Sequence, residues 1–363
     1  MEPAALVKHA TGSYPVLVES GLVGRLPELA GELLPGRRLV VITDRTVARA
    51  VSQPLEVPTL LIAPGETSKS RARWGALTDR MLDLGYGRDS GIVAIGGGVV
   101  GDLAGFVAAT YLRGIPWLSV PTSLLAMVDA SIGGKTGVNV HQGKNLVGAF
   151  HPPQAVLSDP AVLSTLHPEH LGAGLVEAIK HGLVADAEYF EWIGAQATSL
   201  LARDPEALGA LVSRSVAIKA AIVGEDEREL GRRAILNAGH TVGHAIERVS
   251  DYTVLHGNAV AVGLVVEALL AHRLGLAERA LAPTIRLALE RFNRPTTLDA
   301  AWDDESLIDA MMHDKKNRSD ALRFALPTKV GAMFREHSNW TVPVSRDTMQ
   351  TVLSTARSSA TLY

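Results

Sequence analysis

Gly91-Ile-Val-Ala-Ile95 runs directly into Gly96-Gly97-Gly98-Val99-Val100-Gly101-Asp102, and this join decides how the first half of the chain folds. Five uncharged residues bounded by turn formers read as a buried strand of a mostly parallel sheet. Gly96, Gly98 and Gly101 then satisfy a G-x-G-x-x-G spacing just after the strand and at the opening of a helical stretch. Such a turn lets backbone N–H groups approach a pyrophosphate at a helix N-terminus. The turn follows a late strand rather than the first, and no acidic residue stands at a strand tip about 20 positions later. Asp44 instead closes the earlier run Val40-Val41-Ile42-Thr43-Asp44, where a ribose hydroxyl could be bound. The same residues also fit a tight strand–helix turn without a ligand.

Working outward, Tyr14–Glu19, Leu39–Thr43, Thr59–Ala63 and Trp117–Val120 are further short apolar runs bounded by Gly, Pro or Asp. Ser70–Leu84 has helical spacing and suits a crossover. Residues 1–155 are therefore expected to form an α/β, Rossmann-like domain. After about Pro160 the period changes. Pro168–Leu183, Pro205–Asp226, Arg232–Val249 and Asn258–Leu274 carry apolar residues at helical intervals. Residues 156–363 are expected to form an all-α domain, joined at His151-Pro152-Pro153.

The 363 residues are 47% apolar and 20% charged, a globular composition with length for two cores. A net charge of −3 gives no global basic field for nucleic acid or an acidic membrane. With no cysteine, disulfides, thiolate ligands and Cys nucleophiles are excluded, so any metal must be held by His, Asp or Glu. The N-terminus lacks a basic segment followed by a long apolar run, and no stretch of about 18 uninterrupted apolar residues reads as a membrane helix. A cytoplasmic protein is the expectation.

Asn237-Ala-Gly-His240-Thr-Val-Gly-His244 puts two imidazoles at i and i+4, on one helical face. His256 follows in Leu255-His256-Gly257, and Glu177-Ala-Ile-Lys180 lies on an upstream helix. A catalytic zinc-like ion takes three such ligands and keeps one position open. Spacing does not choose between the pair His240 and His244 and the pair His240 and His256. A second constellation runs from Thr122-Ser123 through Asp129 and Gly133-Gly134-Lys135-Thr136 to Gly143-Lys144-Asn145. Lysines beside glycines that expose N–H groups make a phosphate nest. A Walker loop is rejected because Asp129 stands five positions before Gly134, where a glycine is needed.

Together these blocks resemble the 3-dehydroquinate synthases of the sugar phosphate cyclase superfamily. The likeness runs from about residue 40 to about 330 and rests on Gly96–Asp102, Val120–Asn145, Gly174–Lys180, Asn237–His244, His256–Val260 and His313–Asn317. The resemblance implies a homodimer that uses NAD and a divalent metal, zinc or cobalt, to close 3-deoxy-D-arabino-heptulosonate 7-phosphate into a carbocycle. It implies Glu177, His240 and His256 as metal ligands, with His244 facing the substrate phosphate. NAD contacts would be Asp44, Glu66, Lys69, the turn Gly96, Gly97, Gly98, Val99, Val100, Gly101 and Asp102, Thr122 and Ser123, with Lys135 and Lys144 nearby. Asp129, Lys135, Lys144, Asn145, Lys180, Lys219, Arg233 and Asn237 would line the substrate site, with Lys315 or Lys316. Arg113 would reach the phosphate, from the neighbouring subunit. Lys219 and Arg233 are both expected on the helical domain. Asn258 stands where the family commonly has Glu.

The resemblance leaves two enzymatic rivals, beside a non-catalytic binding or regulatory descendant that would require damage at the ligand positions, where none is seen. Other sugar phosphate cyclases act on substrates without a carboxylate, which would leave Lys219, Arg233 and Asn237 without a purpose. A metal-dependent polyol dehydrogenase would release NADH and liberate no phosphate.

Overall fold

The computed structural model describes residues 2–52, 54–312 and 322–359. They fall into two compact units. The first holds the chain up to Leu171 together with Arg203–Glu227, and the second holds Gly172–Ala202 and the chain from Arg228 onward.

In the first unit the strands are β1 (Ala5–His9), β2 (Gly12–Val18), β3 (Arg38–Asp44), β4 (Thr59–Ile62), β5 (Ser90–Gly96) and β6 (Trp117–Pro121). A separate hairpin, β7 (Lys135–Val140) and β8 (Gly143–Phe150), precedes β9 (Ala155–Ser158). The main sheet runs β1-β2-β9-β6-β5-β3-β4. It is parallel except for β1, which pairs antiparallel with β2 at the edge. Helices α1 (Leu26–Leu33), α2 (Val47–Ala50), α3 (Arg71–Asp83) and α4 (Gly98–Thr110) connect the strands.

Both faces of the sheet are covered, which is why its strands read as unbroken apolar runs. In β3, Val40 and Ile42 pack with Met81 of α3 and Leu103 and Val107 of α4. Val41, between them, packs on the other face with Leu26 and Leu29 of α1. β5 divides in the same way, Ile92 and Ala94 against Val93 and Ile95. Because β4 and β5 lie on opposite sides of β3, the strand order reverses there and opens a crevice at the carboxyl ends of β3 and β5. Asp44 ends one of these strands and Gly96 the other.

The chain leaves this unit within α5 (Pro168–Ala185), continues through α6 (Ala187–Ala195) and α7 (Ala197–Leu201), and returns as α8 (Pro205–Glu225). A single boundary at 155/156 therefore does not describe the contacts, and Lys219 belongs to the first unit rather than to the helical one. β9 completes the sheet, and α8 lies on β1, where a Cβ on Gly224 would be 3.4 Å from that of Lys8. By length and composition α8 could cross a membrane, but 56% of its apolar window is buried inside the protein.

The second unit continues with α9 (His240–Val249), α10 (His256–Arg273), α11 (Leu281–Glu290), α12 (Asp304–Met312) and α13 (Arg346–Ser359). Its core gathers Val242, Ile246, Val262, Val266, Leu270, Leu307 and Phe324. Two short ladders, 322–324 with 342–344 and 327–329 with 332–333, interrupt an otherwise helical unit. The helical period read over Arg232–Val249 is broken in the structure. Arg232–Asn237 is a 3-10 turn, and Gly239 takes φ 79° before α9 begins.

Candidate active site

Two clusters of chemistry-bearing residues form, one in each unit. In the first, α4 starts directly behind β5 with Gly97 as its N-cap and no side chain capping it. Gly101 N is bonded to Gly97 O at 3.0 Å, so the turn's own ladder begins there. The N–H groups ahead of that bond are orphans of the kind that bind phosphate oxygens. The glycines are needed for different reasons. A Cβ on Gly96 would sit 2.5 Å from Val100, and one on Gly97 3.3 Å from Ser123 Oγ. On Gly101 it would meet nothing within 4 Å. The close helix–strand packing often made by the last glycine of the motif is made here by Gly105, against Thr136 and Trp117.

Lys69, buried, is ion-paired with Asp102 in α4. Burial raises the Asp102 pKa, and the Lys69 charge and hydrogen bond oppose that rise without cancelling it. Asn139 stitches the surrounding loops together. Its Nδ2 donates to Glu66 Oε1 at 2.8 Å, its N to Lys69 O at 2.8 Å, and its Oδ1 accepts from Asn145 N at 2.9 Å. Asn145 itself sits at φ 56°. Asp44 Oδ1 accepts from Thr46 N and Val47 N at 2.7 and 2.9 Å, which holds the carboxylate at the tip of β3. Thr122 N donates to Gly96 O at 3.0 Å.

Asp129 lies on a π-helical turn, Ala126–Ala130. Lys219 Nζ reaches its Oδ1 at 2.6 Å and its carbonyl at 2.5 Å. Such turns recur at functional sites. Lys219, expected to face the substrate carboxylate, is engaged by Asp129. Lys135 is exposed and Lys144 half-buried, both on the β7–β8 hairpin. Arg113 is exposed, with φ 71° after Leu112 at 48°, a strained turn of the kind kept where it serves a site.

In the second unit Glu177 lies on α5, fully buried, beside Lys180 one turn later. The ammonium lies against Oε2, yet neither carboxylate oxygen accepts a hydrogen bond of good geometry. Lys180 serves Oε2, while Oε1, buried and without a hydrogen-bond donor, suits a second cation. His240 Nε2 is 3.8 Å and His256 Nε2 3.7 Å from Glu177 Oε1. Ligands at about 2.0–2.1 Å from a tetrahedral ion stand about 3.3–3.5 Å apart, so the cluster needs only slight contraction to bind one. Both rings are held by their other nitrogen: His240 Nδ1 on Ala238 O at 3.1 Å, His256 Nδ1 on Glu247 Oε2 at 3.0 Å. Burial by itself lowers the His256 pKa, but the hydrogen bond and charge of Glu247, with the charge of Glu177, more than offset it, and the net shift is upward.

The structure thus groups Glu177 with His240 and His256, and the i, i+4 pair does not stand alone. His244 is adjacent, its ring centroid 5.3 Å from that of His240. Arg233 is buried in the 3-10 turn, and Asn237, at the end of that turn, donates to Glu229 Oε1 at 2.6 Å. Lys315 and Lys316 lie outside the described residues. Asn258 accepts from Arg294 Nη1 at 3.1 Å and is not a partner of the metal-site rings in the contacts described.

Three residues in this unit were not singled out from sequence. Glu247 lies three positions after His244 and seven after His240, a helical spacing that could have pointed to it. Glu229 had no comparable signal. Glu267, fully buried on α10, accepts from Gly239 N at 2.6 Å and Val242 N at 3.4 Å, capping α9 from another helix. No local pattern announces a cap supplied from about 28 residues away.

The open space at Gly101 gives a test of the nucleotide crevice. Gly101→Ala should fold as the parent does, because the added carbon meets no protein atom within 4 Å. It should weaken NAD binding by roughly tenfold or more, since a clash of about 1–3 kcal/mol arises only with the ligand in place. Fluorescence titration with NAD alongside thermal melting checks this, and unchanged affinity would remove Gly101 from the site.

The chain matches the 3-dehydroquinate synthase N-terminal family over residues 59–173 and the 3-dehydroquinate synthase C-terminal family over 174–317. A 3-dehydroquinate synthase of Symbiobacterium thermophilum is 44% identical over 329 residues, spanning 88% of this chain and 92% of the relative. A 2-epi-5-epi-valiolone synthase from Streptomyces hygroscopicus, solved with NAD+ and Zn2+, superposes with TM-score 0.86 at 29% identity, covering 98% of this chain and 99% of that one. A 2-deoxy-scyllo-inosose synthase complexed with carbaglucose-6-phosphate, NAD+ and Co2+ gives TM-score 0.87 at 26% identity, covering 97% and 99%.

Proposed function

This chain belongs to the 3-dehydroquinate synthase family, and from that premise we infer that it converts 3-deoxy-D-arabino-heptulosonate 7-phosphate to 3-dehydroquinate and phosphate. The observation that carries the reading is the 44% identity to a protein of that activity along nearly the whole chain. The two cyclases of other product, alike in fold, are only 26% and 29% identical.

The enzyme is a lyase that uses NAD and a divalent ion of the zinc or cobalt kind. When bound, NAD supplies a hydride acceptor that is regenerated within the cycle, and the ion supplies a Lewis acid for a pair of substrate hydroxyls. Glu177, His240 and His256 would hold the ion, and Oε1 of Glu177, which faces both rings without a hydrogen-bond donor of its own, fits that role. The N–H groups opening α4 would hold the pyrophosphate, with Asp44 toward a ribose and Lys69 with Asp102 bracing the crevice. Lys135, Asn145 and His244 would bind the phosphate of the substrate, Arg113 reaching it from a second subunit of a homodimer. Held there, the departing phosphate itself takes the C6 proton, and no separate carboxylate base is required. Arg233 and Asn237 would hold the substrate carboxylate, Lys219 acting there through its pair with Asp129. A cytoplasmic location accompanies this role.

Purified protein supplied with the heptulosonate phosphate, NAD and zinc or cobalt should release one phosphate per turnover with no net NADH. Stoichiometric NADH without phosphate would instead mark a polyol dehydrogenase.

A further inference from the structure

We propose that Glu247 is a positioning residue for the metal centre: from the far side of the His256 ring it fixes the tautomer and orientation in which Nε2 faces Glu177. The proposal rests on the reading of Glu177, His240 and His256 as the ligand set. Among the described residues of this unit two overlapping triads occur, that one and His244 with Glu247 and His256. They differ in what Glu247 does, ligand in one and second partner of a ligand in the other.

Three observations decide between them. Glu247 Oε2 is 3.0 Å from His256 Nδ1, whereas Glu177 Oε1 is 3.7 Å from Nε2 of the same ring. The first distance is that of a hydrogen bond and is shorter than the roughly 3.3 Å separating two ligands of one tetrahedral ion. The second is close to such a separation. The two carboxylates therefore address opposite nitrogens of one imidazole, and an ion held by one leaves the other to accept the Nδ1 proton. Next, His240 has the equivalent support from Ala238 O, so each proposed histidine ligand is held through its Nδ1. Last, Glu247 is anchored by its backbone as well. Its carbonyl accepts from Tyr252 N at 2.7 Å, in the turn where Asp251 and Tyr252 take φ 49° and 59°. That turn carries the chain back so that α10 begins with His256. The same residue thus sets both where His256 arises and how its ring is rotated.

The test is metal affinity of the full chain, stripped by chelation and titrated with zinc or cobalt against a chromophoric chelator. Glu247→Gln should raise the metal Kd by about 10–100-fold while one ion still binds per chain and the cobalt ligand-field spectrum keeps its coordination number. Wild-type affinity would overturn the proposal. So would loss of the ion with a changed coordination number, which would make Glu247 a ligand. Melting of the stripped protein monitors folding. If Glu247→Gln melts early, Glu247→Asp keeps the charge but draws it back by one carbon, and an intermediate Kd supports the proposal while an unchanged one sinks it. Glu177→Gln and His244→Ala separate this inference from the reading beneath it. Wild-type affinity in Glu177→Gln, or loss of the ion in His244→Ala, brings down the ligand assignment itself.

Discussion

Glu177→Gln is expected to strip the divalent ion from the protein and to lower kcat/KM by about a thousandfold or more. A bound ion contributes several kcal/mol of charge stabilisation in the transition state, and each 1.4 kcal/mol is about tenfold in rate. The substitution keeps volume but removes the charge that draws a cation to the cluster. Glutamine is preferable to alanine, because Glu177 is wholly buried beside Lys180 and removing its bulk would add a cavity to the lost pairing. Elemental analysis after dialysis reads the metal, steady-state phosphate release reads the activity, and melting of the stripped protein checks the fold. A variant that keeps one ion per chain and near-parent turnover would remove Glu177 from the centre.

Arg233→Ala should act on the substrate and leave the ion alone. Arg233 is buried in the turn Arg232–Asn237, and a charge-assisted hydrogen bond to a carboxylate is worth about 1.5–3 kcal/mol. Its loss should cost roughly 10- to 150-fold in kcat/KM, with metal content and stoichiometry unchanged. The pairing of the two variants is informative: one empties the centre, the other does not. Near-parent specificity in Arg233→Ala would mean that the substrate carboxylate is bound elsewhere.

The parallel sheet was legible because burial on both faces writes itself as apolar runs. Leu39–Thr43, Gly91–Ile95 and Trp117–Val120 lie within β3, β5 and β6. The helices beginning at Pro168 and Pro205 were legible for the matching reason, a sustained helical period. β7 and β8 were not, because a hairpin rich in Gly, Lys, Asn and Gln has no apolar alternation to read. β1 is an edge strand, Ala-Leu-Val-Lys-His, with one buried residue and so no apolar run to read, and β9 adjoined the prolines that suggested a connector. At the metal centre the ligand types were readable, but the choice between His244 and His256 was not. That choice depends on the reversal at Asp251 and Tyr252, two non-glycine residues with positive φ that no turn pattern announces. The return of α8 to the first unit is likewise a matter of long-range packing, carried by contacts such as Ala10 N to Glu227 Oε2.

The crossing of α9 and α10 has a consequence for how the ion is received. A Cβ on Gly263 would fall 2.0 Å from Gly239 O, and one on Gly243 3.2 Å from Val260 N. The backbones touch, and Glu267 ties the start of one helix to the body of the other. His240 and His256 therefore cannot slide past each other, and the bite of this natural chelate is cut into the polypeptide before any cation arrives. Little strain remains to be relieved on loading, so ions of similar radius should exchange into the same seat without remoulding it.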